Sequence, residues 1–420
     1  MKTPKRTRKT QPQEGTLIGH AGKRPVYMPD SAKHVFMCGT TGSGKTVGLS
    51  NFIKQAIEKD YPTFILDGKG DTGQGSILEI INTMRKEINP GKKLYVISLS
   101  DPDQSDQYNP FMNASPTVAK DMIINMTDWS EEHYKLNAER YIQRILRLLE
   151  IAGIKLSFKK IIKAIPIDNF LGLSAELLER ELITKEQHLA NIEISQTSGK
   201  ITQNSMARFS TIAESEIGGI FSDTGVDIAQ ALKEKAIILF ILNPLTYPEL
   251  TPAFGRLILI DAKKAIGGLF KSNIEKSFFI MDEINVYATT ALTDLVNKSR
   301  SAGVTCILAT QSLSDLDFAC GEAYKEQIIE NCNNYIVMRQ NSGVNAEKWA
   351  NILGTRATMD VTYQLQQRGL ETSETGFGSA RRVREYLYHP DDIKTLATGK
   401  GVFLSRDTNI HSRININKPF

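Results

Sequence analysis

Short apolar runs alternate with stretches of helical spacing along most of the chain. The runs are rich in β-branched and aromatic residues, as buried strands are, and they lie at residues 34–38, 63–67, 94–99, 236–242, 278–282, 305–310, 335–339 and 402–405. Strands that are apolar throughout and separated by helices are typical of a parallel sheet with helices on both faces. The pattern therefore predicts an α/β protein with a mainly parallel sheet.

The pattern changes between residues 113 and 219. That segment has no convincing strand, and its apolar residues recur at helical spacing, as at Tyr141, Ile145, Leu148 and Leu149. We therefore predict an all-α domain at residues 113–219, inserted between two blocks of one α/β domain, 15–112 and 220–420. Residues 1–14 are predicted to be a basic flexible tail, because five lysines and arginines occur there before the first acid.

Two further segments leave alternatives open. Lys155, Lys159, Lys160 and Lys163 form a basic strip at helical spacing, which fits either a solvated helix face or contact with DNA phosphates. Residues 361–368 and 381–388 alternate well enough for a hairpin arm, with residues 371–380 as the linker. The arginines of this arm could grip DNA, contact a neighbouring subunit or protect an exposed strand from aggregation.

Cysteine spacing and the length of the apolar stretches narrow the class of protein, whereas the net charge does not. The 420 residues carry a net charge of +4, which neither requires nor excludes a nucleic-acid partner. The four cysteines have no metal-ligand or disulfide-scaffold spacing, which favours a reducing compartment. No apolar stretch approaches the roughly 20 residues of a membrane-spanning helix. We expect a cytoplasmic protein that can be recruited to the inner face of the cell membrane.

A phosphate-binding loop follows the first apolar run. Its residues are Gly39, Thr40, Thr41, Gly42, Ser43, Gly44, Lys45 and Thr46. The glycines let successive N–H groups surround phosphates, the lysine neutralises the β and γ phosphate charge, and the threonine hydroxyl reaches Mg²⁺. A helix-compatible stretch begins next, so its N-terminus adds positive potential. The sequence therefore predicts binding of ATP with Mg²⁺.

Two acids end a later apolar strand and supply what hydrolysis needs. Asp282 is placed to hold Mg²⁺, and Glu283 can polarise the attacking water. The next strand ends in Gln311, at the carboxyl edge where ligands bind in open α/β folds. We predict that Lys45, Glu283 and Gln311 are catalytic and that Thr46 and Asp282 bind the metal.

Arg300 ends the helix that follows the acidic pair. It is too far from its own nucleotide to assist, but in a ring it could reach the γ-phosphate of a neighbouring subunit. The residue pattern alone leaves this role level with a simple interaction between the arginine and the helix dipole. Arg339 is a second candidate for this role.

These motifs resemble the TraD/TraG-type coupling proteins of type IV secretion and conjugation, within the FtsK/HerA group of RecA-like motor ATPases. The resemblance rests on the phosphate loop, Met281 to Glu283 and three further stretches: Leu66 to Asp71, Tyr108 to Phe111, and Ala309 to Leu316. It implies a RecA-like P-loop NTPase with an inserted all-α domain, assembled as a hexameric ring and dependent on DNA. It also places Arg300 where an arginine finger is expected. One departure is that most family members carry N-terminal membrane helices, which the polar and basic residues before residue 34 do not resemble.

The resemblance implies a translocase that links a relaxase–DNA substrate to a conjugation channel. The implied partners are DNA, bound mainly as a single strand without sequence preference, a relaxase or accessory transfer protein, a channel component and further copies of this chain. The loop at residues 68–75 is a candidate for the pore contact, and a structural turn is an alternative of at least equal weight. Two other functions stay open: a HerA-like DNA pump or helicase in repair or defence, and a nucleotide-switched adaptor that recruits protein substrates.

Overall fold

The structure is a computed structural model that describes residues 15–30, 33–126, 129–199, 202, 209–269, 276–368 and 371–420. The basic segment 1–14 lies outside the described residues. Among the described residues, no helix combines the length and the apolar composition that crossing a membrane requires.

A large sheet of eleven strands forms the centre of the molecule, and two further strands form a separate hairpin. In sheet order the strands run β2-β1-β13-β12-β9-β3-β8-β7-β4-β6-β5. Their bounds are β1 Gly15–Ala21, β2 Arg24–Pro29, β3 Val35–Cys38, β4 Thr63–Asp67, β5 Leu94–Ser98, β6 Ile237–Ile241, β7 Ser277–Asp282, β8 Val304–Thr310, β9 Asn334–Val337, β10 Thr355–Arg368, β11 Glu371–Tyr386, β12 Lys400–Ser405 and β13 Ile410–Ile416.

Helices follow most of the strands and cover the sheet. Their bounds are α1 Lys45–Glu58, α2 Ile77–Ile88, α3 Pro116–Asn125, α4 Glu132–Ile151, α5 Phe158–Ala164, α6 Ile167–Glu179, α7 Lys185–Ile194, α8 Ile228–Lys233, α9 Leu250–Leu269, α10 Thr290–Ser299, α11 Leu313–Cys320, α12 Glu322–Asn331, α13 Gly343–Leu353 and α14 Pro390–Lys394. Residues 209–214 are also helical.

The seven strands from β9 to β5 are parallel, and both faces of this part are buried. One apolar cluster includes Phe52 of α1 and Ile81 of α2, and the other includes Leu257 of α9 and Trp349 of α13. Since each strand supplies alternate side chains to the two clusters, its central residues are mostly apolar on both faces. The predicted α/β fold with a mainly parallel sheet is confirmed.

The antiparallel edge of the sheet differs from the sequence prediction. The C-terminal run at 402–405 forms β12, but it pairs antiparallel with β9 and with β13. β1 pairs with both β2 and β13, so the two ends of the described chain share one edge. β1, β2 and β13 mix buried residues with partly or fully exposed ones, so they do not form the continuous apolar runs by which buried strands are recognised.

The described elements between residues 116 and 199 are all helical, as the pattern of apolar residues predicts. Their buried side chains join the cluster beneath α9, including Tyr141 and Ile145 of α4 and Phe170 of α6. The division of the chain at residues 113 and 219 into separate domains stays a prediction.

The Tyr108–Phe111 segment, which leads from β5 into the helical region, is fixed by a buried polar cluster. The hydroxyl of Tyr108 donates to Oδ2 of Asp261 at 2.7 Å, and Nζ of Lys264 lies 2.8 Å from Oδ1 of the same carboxylate. Lys264 also donates to the carbonyl oxygens of Pro110 and Met112 at 3.0 and 2.9 Å. Burial raises the pKa of Asp261 to about 6. One charged cluster on α9 therefore holds the start of the helical region.

Replacement of Tyr108 by phenylalanine is expected to lower the free energy of unfolding by about 1–3 kcal/mol, because a buried carboxylate loses a donor. Urea denaturation followed by circular dichroism measures the change. Tyr95→Phe is the matched control, since its hydroxyl donates to Glu234 at 3.1 Å in an exposed pair, and a change within about 0.5 kcal/mol is expected there. Equal losses of unfolding free energy in the two variants would show that the buried hydrogen bond stabilises the protein no more than the exposed one.

The predicted hairpin arm is present and longer than expected. Its register runs from the pair Thr355 and Tyr386 to the pair Arg368 and Glu371, with one irregularity after Tyr363. The predicted linker at 371–380 is therefore strand, because β11 begins at Glu371. Gly376 and Gly378 lie within this strand, and residues 369–370, between the two strands, lie outside the described residues.

Candidate active site

The phosphate-binding loop connects β3 to α1 at the carboxyl edge of the parallel strands. The N–H of Gly39 donates to the carbonyl oxygen of Thr310 at 3.2 Å, and the N–H of Thr40 donates to that of Arg339 at 3.0 Å. The loop is thus held between the ends of β8 and β9, the neighbours of β3. The first N–H groups of α1 have no intrahelical acceptor and are available to an anion.

Two of the loop glycines adopt a backbone that other residues avoid. Gly42 and Gly44 have φ values of 73° and 107°, in the region where a Cβ atom is strained. At Gly39 a larger side chain is excluded by a close contact, since a Cβ there would lie 2.6 Å from the Cβ of Met338. The glycine positions in the motif therefore follow from the path of the backbone.

A second loop, missed at the sequence level, supports the phosphate-binding loop from the C-terminal part of the chain. The N–H of Gly399 donates to the carbonyl oxygen of Ser43 at 2.9 Å, and the hydroxyl of Thr398 donates to that of Gly42 at 3.1 Å. This loop leads into β12, which lies two strands from β3 in the sheet. No motif marks it, because it contributes mainly backbone shape.

Lys45 lies within reach of both the loop and the predicted catalytic glutamate. Its Nζ donates to the carbonyl oxygen of Gly39 at 2.7 Å and lies 3.5 Å from Oε1 of Glu283. Both side chains are more than nine-tenths buried. The ammonium group therefore already lies beside the position that a bound phosphate would take.

Glu283 is held at the end of β7 in a left-handed backbone conformation, with φ 50° and ψ 53°. Such a conformation is uncommon outside glycine and is concentrated at functional sites. The carboxylate oxygen Oε1 accepts a hydrogen bond from Nε2 of Gln311 at 3.1 Å. The other oxygen, Oε2, is buried and has no partner among the described residues. That free acceptor fits the predicted contact with an attacking water.

Gln311 links the glutamate to the phosphate-binding loop. Its Oε1 accepts a hydrogen bond from the hydroxyl of Thr41 at 3.0 Å, while its amide nitrogen donates to Glu283. Gln311 therefore connects the phosphate-binding loop to the carboxylate of Glu283 through one side chain. The structure thus brings Lys45, Glu283 and Gln311 together, although their catalytic roles stay predictions.

Asp282 lies beside a second acid that the sequence-based assignment left out. The register pairs Asp282 of β7 with Asp67 of β4, and both side chains are buried. Burial raises the pKa of Asp282 to about 8, with Asp67 and Glu283 acting in the same direction, and burial raises that of Asp67 to about 7. The charges of Lys45 at Asp282 and of Lys69 at Asp67 act in the opposite direction without outweighing burial. Neighbouring carboxylates are ligands that Mg²⁺ prefers. Asp67 could have been identified from the acidic end of its strand.

Thr46, the other predicted metal ligand, is the second residue of α1 and is half-buried. Hydroxyl, carboxylate and phosphate oxygens are the ligands that Mg²⁺ takes in such sites. The residues present fit Mg²⁺ bound with a nucleoside triphosphate.

Arg300 lies at the amino ends of the parallel strands, whereas the phosphate-binding loop lies at their carboxyl ends. It begins a short turn, Arg300–Ala302, just before β8, and its side chain is exposed. β8 has seven residues, so this edge is about 23 Å from the carboxyl edge. The structure therefore does not bring Arg300 to its own nucleotide site, and its action on a neighbouring subunit stays a prediction. Arg339 follows β9 at the carboxyl edge, where its carbonyl group anchors Thr40.

The loop at residues 68–75 begins beside the carboxyl end of β7. The N–H of Gly68 donates to the carbonyl oxygen of Asp282 at 3.2 Å, and residues 72–75 are exposed. It therefore connects the active-site edge to solvent. Its contact with DNA in the pore stays a prediction.

A mainly parallel sheet with a phosphate-binding loop after β3 and adjacent acids after β7 defines a RecA-like P-loop ATPase. The chain belongs to the family described as "Helicase HerA, central domain", whose family model matches residues 15–231. A second model, "TraM recognition site of TraD and TraG", matches residues 277–398. Together they confirm the assignment to the TraD/TraG-type coupling proteins of the FtsK/HerA group.

Solved structures share the fold over nearly the whole chain. The bacterial conjugative coupling protein TrwBdeltaN70 has a TM-score of 0.70 at 14% identity, covering 97% of this chain and 90% of that one. TrwB in complex with ADP and Mg²⁺ has a TM-score of 0.67 at 14% identity, with the same shares covered. VirB4 of Thermoanaerobacter pseudethanolicus has a TM-score of 0.58 at 11% identity, covering 96% of this chain and 97% of that one. At these identities the likeness concerns the fold alone.

A curated relative from Mycoplasma pneumoniae (strain ATCC 29342 / M129) carries no assigned role. This uncharacterized protein is 28% identical over 120 residues, which cover 29% of this chain and 77% of the relative.

Proposed function

We propose that this protein is an ATP-hydrolysing DNA translocase that couples a relaxase–DNA substrate to a type IV secretion channel. The proposal of hydrolysis rests on the contacts that Glu283 makes with Lys45 and Gln311 at the carboxyl ends of the strands. The other oxygen of this glutamate has no partner among the described residues. A binding-only site has no need of a buried carboxylate linked to the loop by an amide.

ATP and Mg²⁺ are the proposed cofactors. The loop N–H groups and Lys45 would hold the phosphates, Thr46 and Asp282 would hold the ion, and Asp67 would add negative charge beside it. The ion would offset the negative charge of the phosphates. Glu283 would orient and deprotonate water, and Gln311 would sense the γ-phosphate. TrwB has been described with ADP and Mg²⁺, which supports this choice.

Support for the DNA and transfer partners comes from the match to the TraM recognition site of TraD and TraG and from the likeness to a conjugative coupling protein. We propose that the active form is a hexameric ring in which Arg300 completes the site of the adjoining subunit. DNA would be held through its phosphates without sequence preference. A relaxase or accessory protein and a channel component would complete the transfer system.

A HerA-like DNA pump or helicase is the second candidate, because the HerA central-domain model matches residues 15–231. It predicts unwinding of a labelled duplex or activity with a nuclease partner. A coupling protein predicts translocation without strand separation, so a duplex-unwinding assay separates the two functions.

Steady-state ATP hydrolysis tests the proposed function. The rate is measured without DNA, with single-stranded DNA and with duplex DNA, over a series of protein concentrations at fixed low salt. We expect DNA to stimulate hydrolysis and the rate to rise more steeply than protein concentration, because a ring must assemble before Arg300 reaches its target. A rate that ignores DNA in rings confirmed by light scattering would favour the adaptor function.

A further inference from the structure

A basic cleft lies in the helical region, away from the phosphate-binding loop. It has a volume of about 470 Å³ and lies between α4 and the start of α7. One wall carries Arg140, Arg144 and Arg147, which occupy one face of α4 because they are spaced by four and three residues. This face extends over about 10 Å of helix. The residues that line the cleft include no acid.

The three guanidinium groups are not neutralised within the described residues. No described carboxylate forms an ion pair with Arg140, Arg144 or Arg147, whereas Arg180 on the same group of helices pairs with Glu176 at 3.1 Å. Guanidinium groups bind carboxylates and phosphates through paired hydrogen bonds. The cleft therefore has the charge to attract an anionic ligand.

Two amide side chains in the cleft add a second, independent sign of a ligand. Asn191 is 1% exposed, and its amide nitrogen donates to Ser174 at 2.9 Å, but its Oδ1 has no partner among the described residues. On α4, Nε2 of Gln143 is also buried without a partner in the described part of the chain. Within the described residues, the cleft thus holds one unpaired acceptor and one unpaired donor. Buried polar atoms are normally paired, so both can form hydrogen bonds with water or with a ligand that reaches them.

We propose that this cleft binds an acidic peptide segment of a partner protein. A peptide group presents one acceptor and one donor, which match the amide of Gln143 and the Oδ1 of Asn191, while glutamate or aspartate side chains pair with the arginines. The cleft also has an apolar end formed by Leu148, Ile151 and Ile183, and Ile151 is 40% exposed. That end suits an aliphatic side chain of the peptide.

A nucleic-acid strand fits the same cleft less well. A phosphodiester has acceptors and no donor, so it would leave Oδ1 of Asn191 unpaired. The cleft has no aromatic lining residue, whereas single-strand sites use aromatic rings on which bases stack. Polar complementarity therefore favours the peptide. This site acts on a protein partner and does not depend on ATP hydrolysis.

The test uses the full-length protein without nucleotide and a panel of short fluorescein-labelled peptides. In the panel a pair of glutamates is moved stepwise through a leucine and alanine background, and each peptide has a twin with glutamines instead. Fluorescence anisotropy at low salt measures binding. At least one glutamate peptide is expected to bind about tenfold or more tightly than its twin.

Variants locate the bound peptide. Arg144→Glu is expected to weaken binding by about tenfold or more, and Arg144→Gln by less, while the exposed Arg180→Glu control leaves binding unchanged. Thermal melting confirms that each variant folds. The proposal is overturned if no glutamate peptide is preferred over its twin, or if the Arg144 and Arg180 variants weaken binding equally. It is also overturned if an oligothymidylate binds and loses more affinity than the peptide in Arg144→Glu. Because DNA-stimulated hydrolysis is measured separately, either proposal can fail alone.

Discussion

Replacement of Glu283 by glutamine is expected to lower ATP hydrolysis by about 10²–10⁴-fold, the usual contribution of a general base. Binding of ATP should persist and can tighten, because Lys45 loses the carboxylate that lies 3.5 Å from it and becomes freer to hold phosphate. Steady-state turnover and binding of a fluorescent ATP analogue measure the two effects separately.

The control for this variant is Glu58→Gln at the end of α1. Glu58 is exposed and pairs only with Lys54, at 3.7 Å, among the described residues, so hydrolysis should be unchanged. If Glu283→Gln hydrolyses ATP at the normal rate, the carboxylate is not the base. A DNA transfer assay distinguishes the motor function from the adaptor function. A motor should lose DNA transfer in Glu283→Gln, whereas a recruiting adaptor should keep it.

Replacement of Arg300 by alanine is expected to lower hydrolysis by about 10³–10⁵-fold under conditions that form rings, the range measured for arginine fingers. The reason is geometric: Arg300 is exposed at the edge of the sheet opposite its own phosphate-binding loop, so it can act only on another subunit. Nucleotide binding should be unchanged, and turnover measured across a protein concentration series detects the loss.

Lys45→Ala provides the contrast, because it removes a contact with the phosphates of the same subunit and should abolish binding itself. Mixing the two inactive variants is the decisive arrangement. A mixed ring contains interfaces with an intact Lys45 on one side and an intact Arg300 on the other, so partial activity should return. Equal loss of binding in both variants, or no recovery on mixing, would falsify the finger assignment.

The parallel core could be predicted from the sequence because its strands are buried on both faces. Residues 64–66 and 278–281 are apolar and precede an acid, and each run lies in a strand whose bounds match the predicted 63–67 and 278–282 to within one residue. β1 and β13 could not be found in this way, since both strands contain residues that are only partly buried between the buried ones. Their pairing also depends on contacts between the two ends of the chain, which no local pattern encodes.

The site was predictable to the extent that side-chain chemistry defines it. Lys45 and Glu283 follow from motifs that have a mechanism, and the structure brings them within ion-pair distance. The support from Thr398 and Gly399 could not be predicted, because an exposed hydroxyl and a backbone N–H carry no recognisable pattern. The buried pair of Asp67 and Asp282 required the strand order, which places β4 beside β7.

The pairing of β1 with β13 constrains how the protein is made. β1 ends at Ala21 and β13 begins at Ile410, so a nascent chain exposes the free edge of the β1–β2 hairpin until β13 has been synthesised. At the usual elongation rates this interval is roughly 20–80 seconds. Contacts of such large sequence separation also form slowly. The unpaired hairpin is therefore the part of the newly made chain that most needs protection by a chaperone.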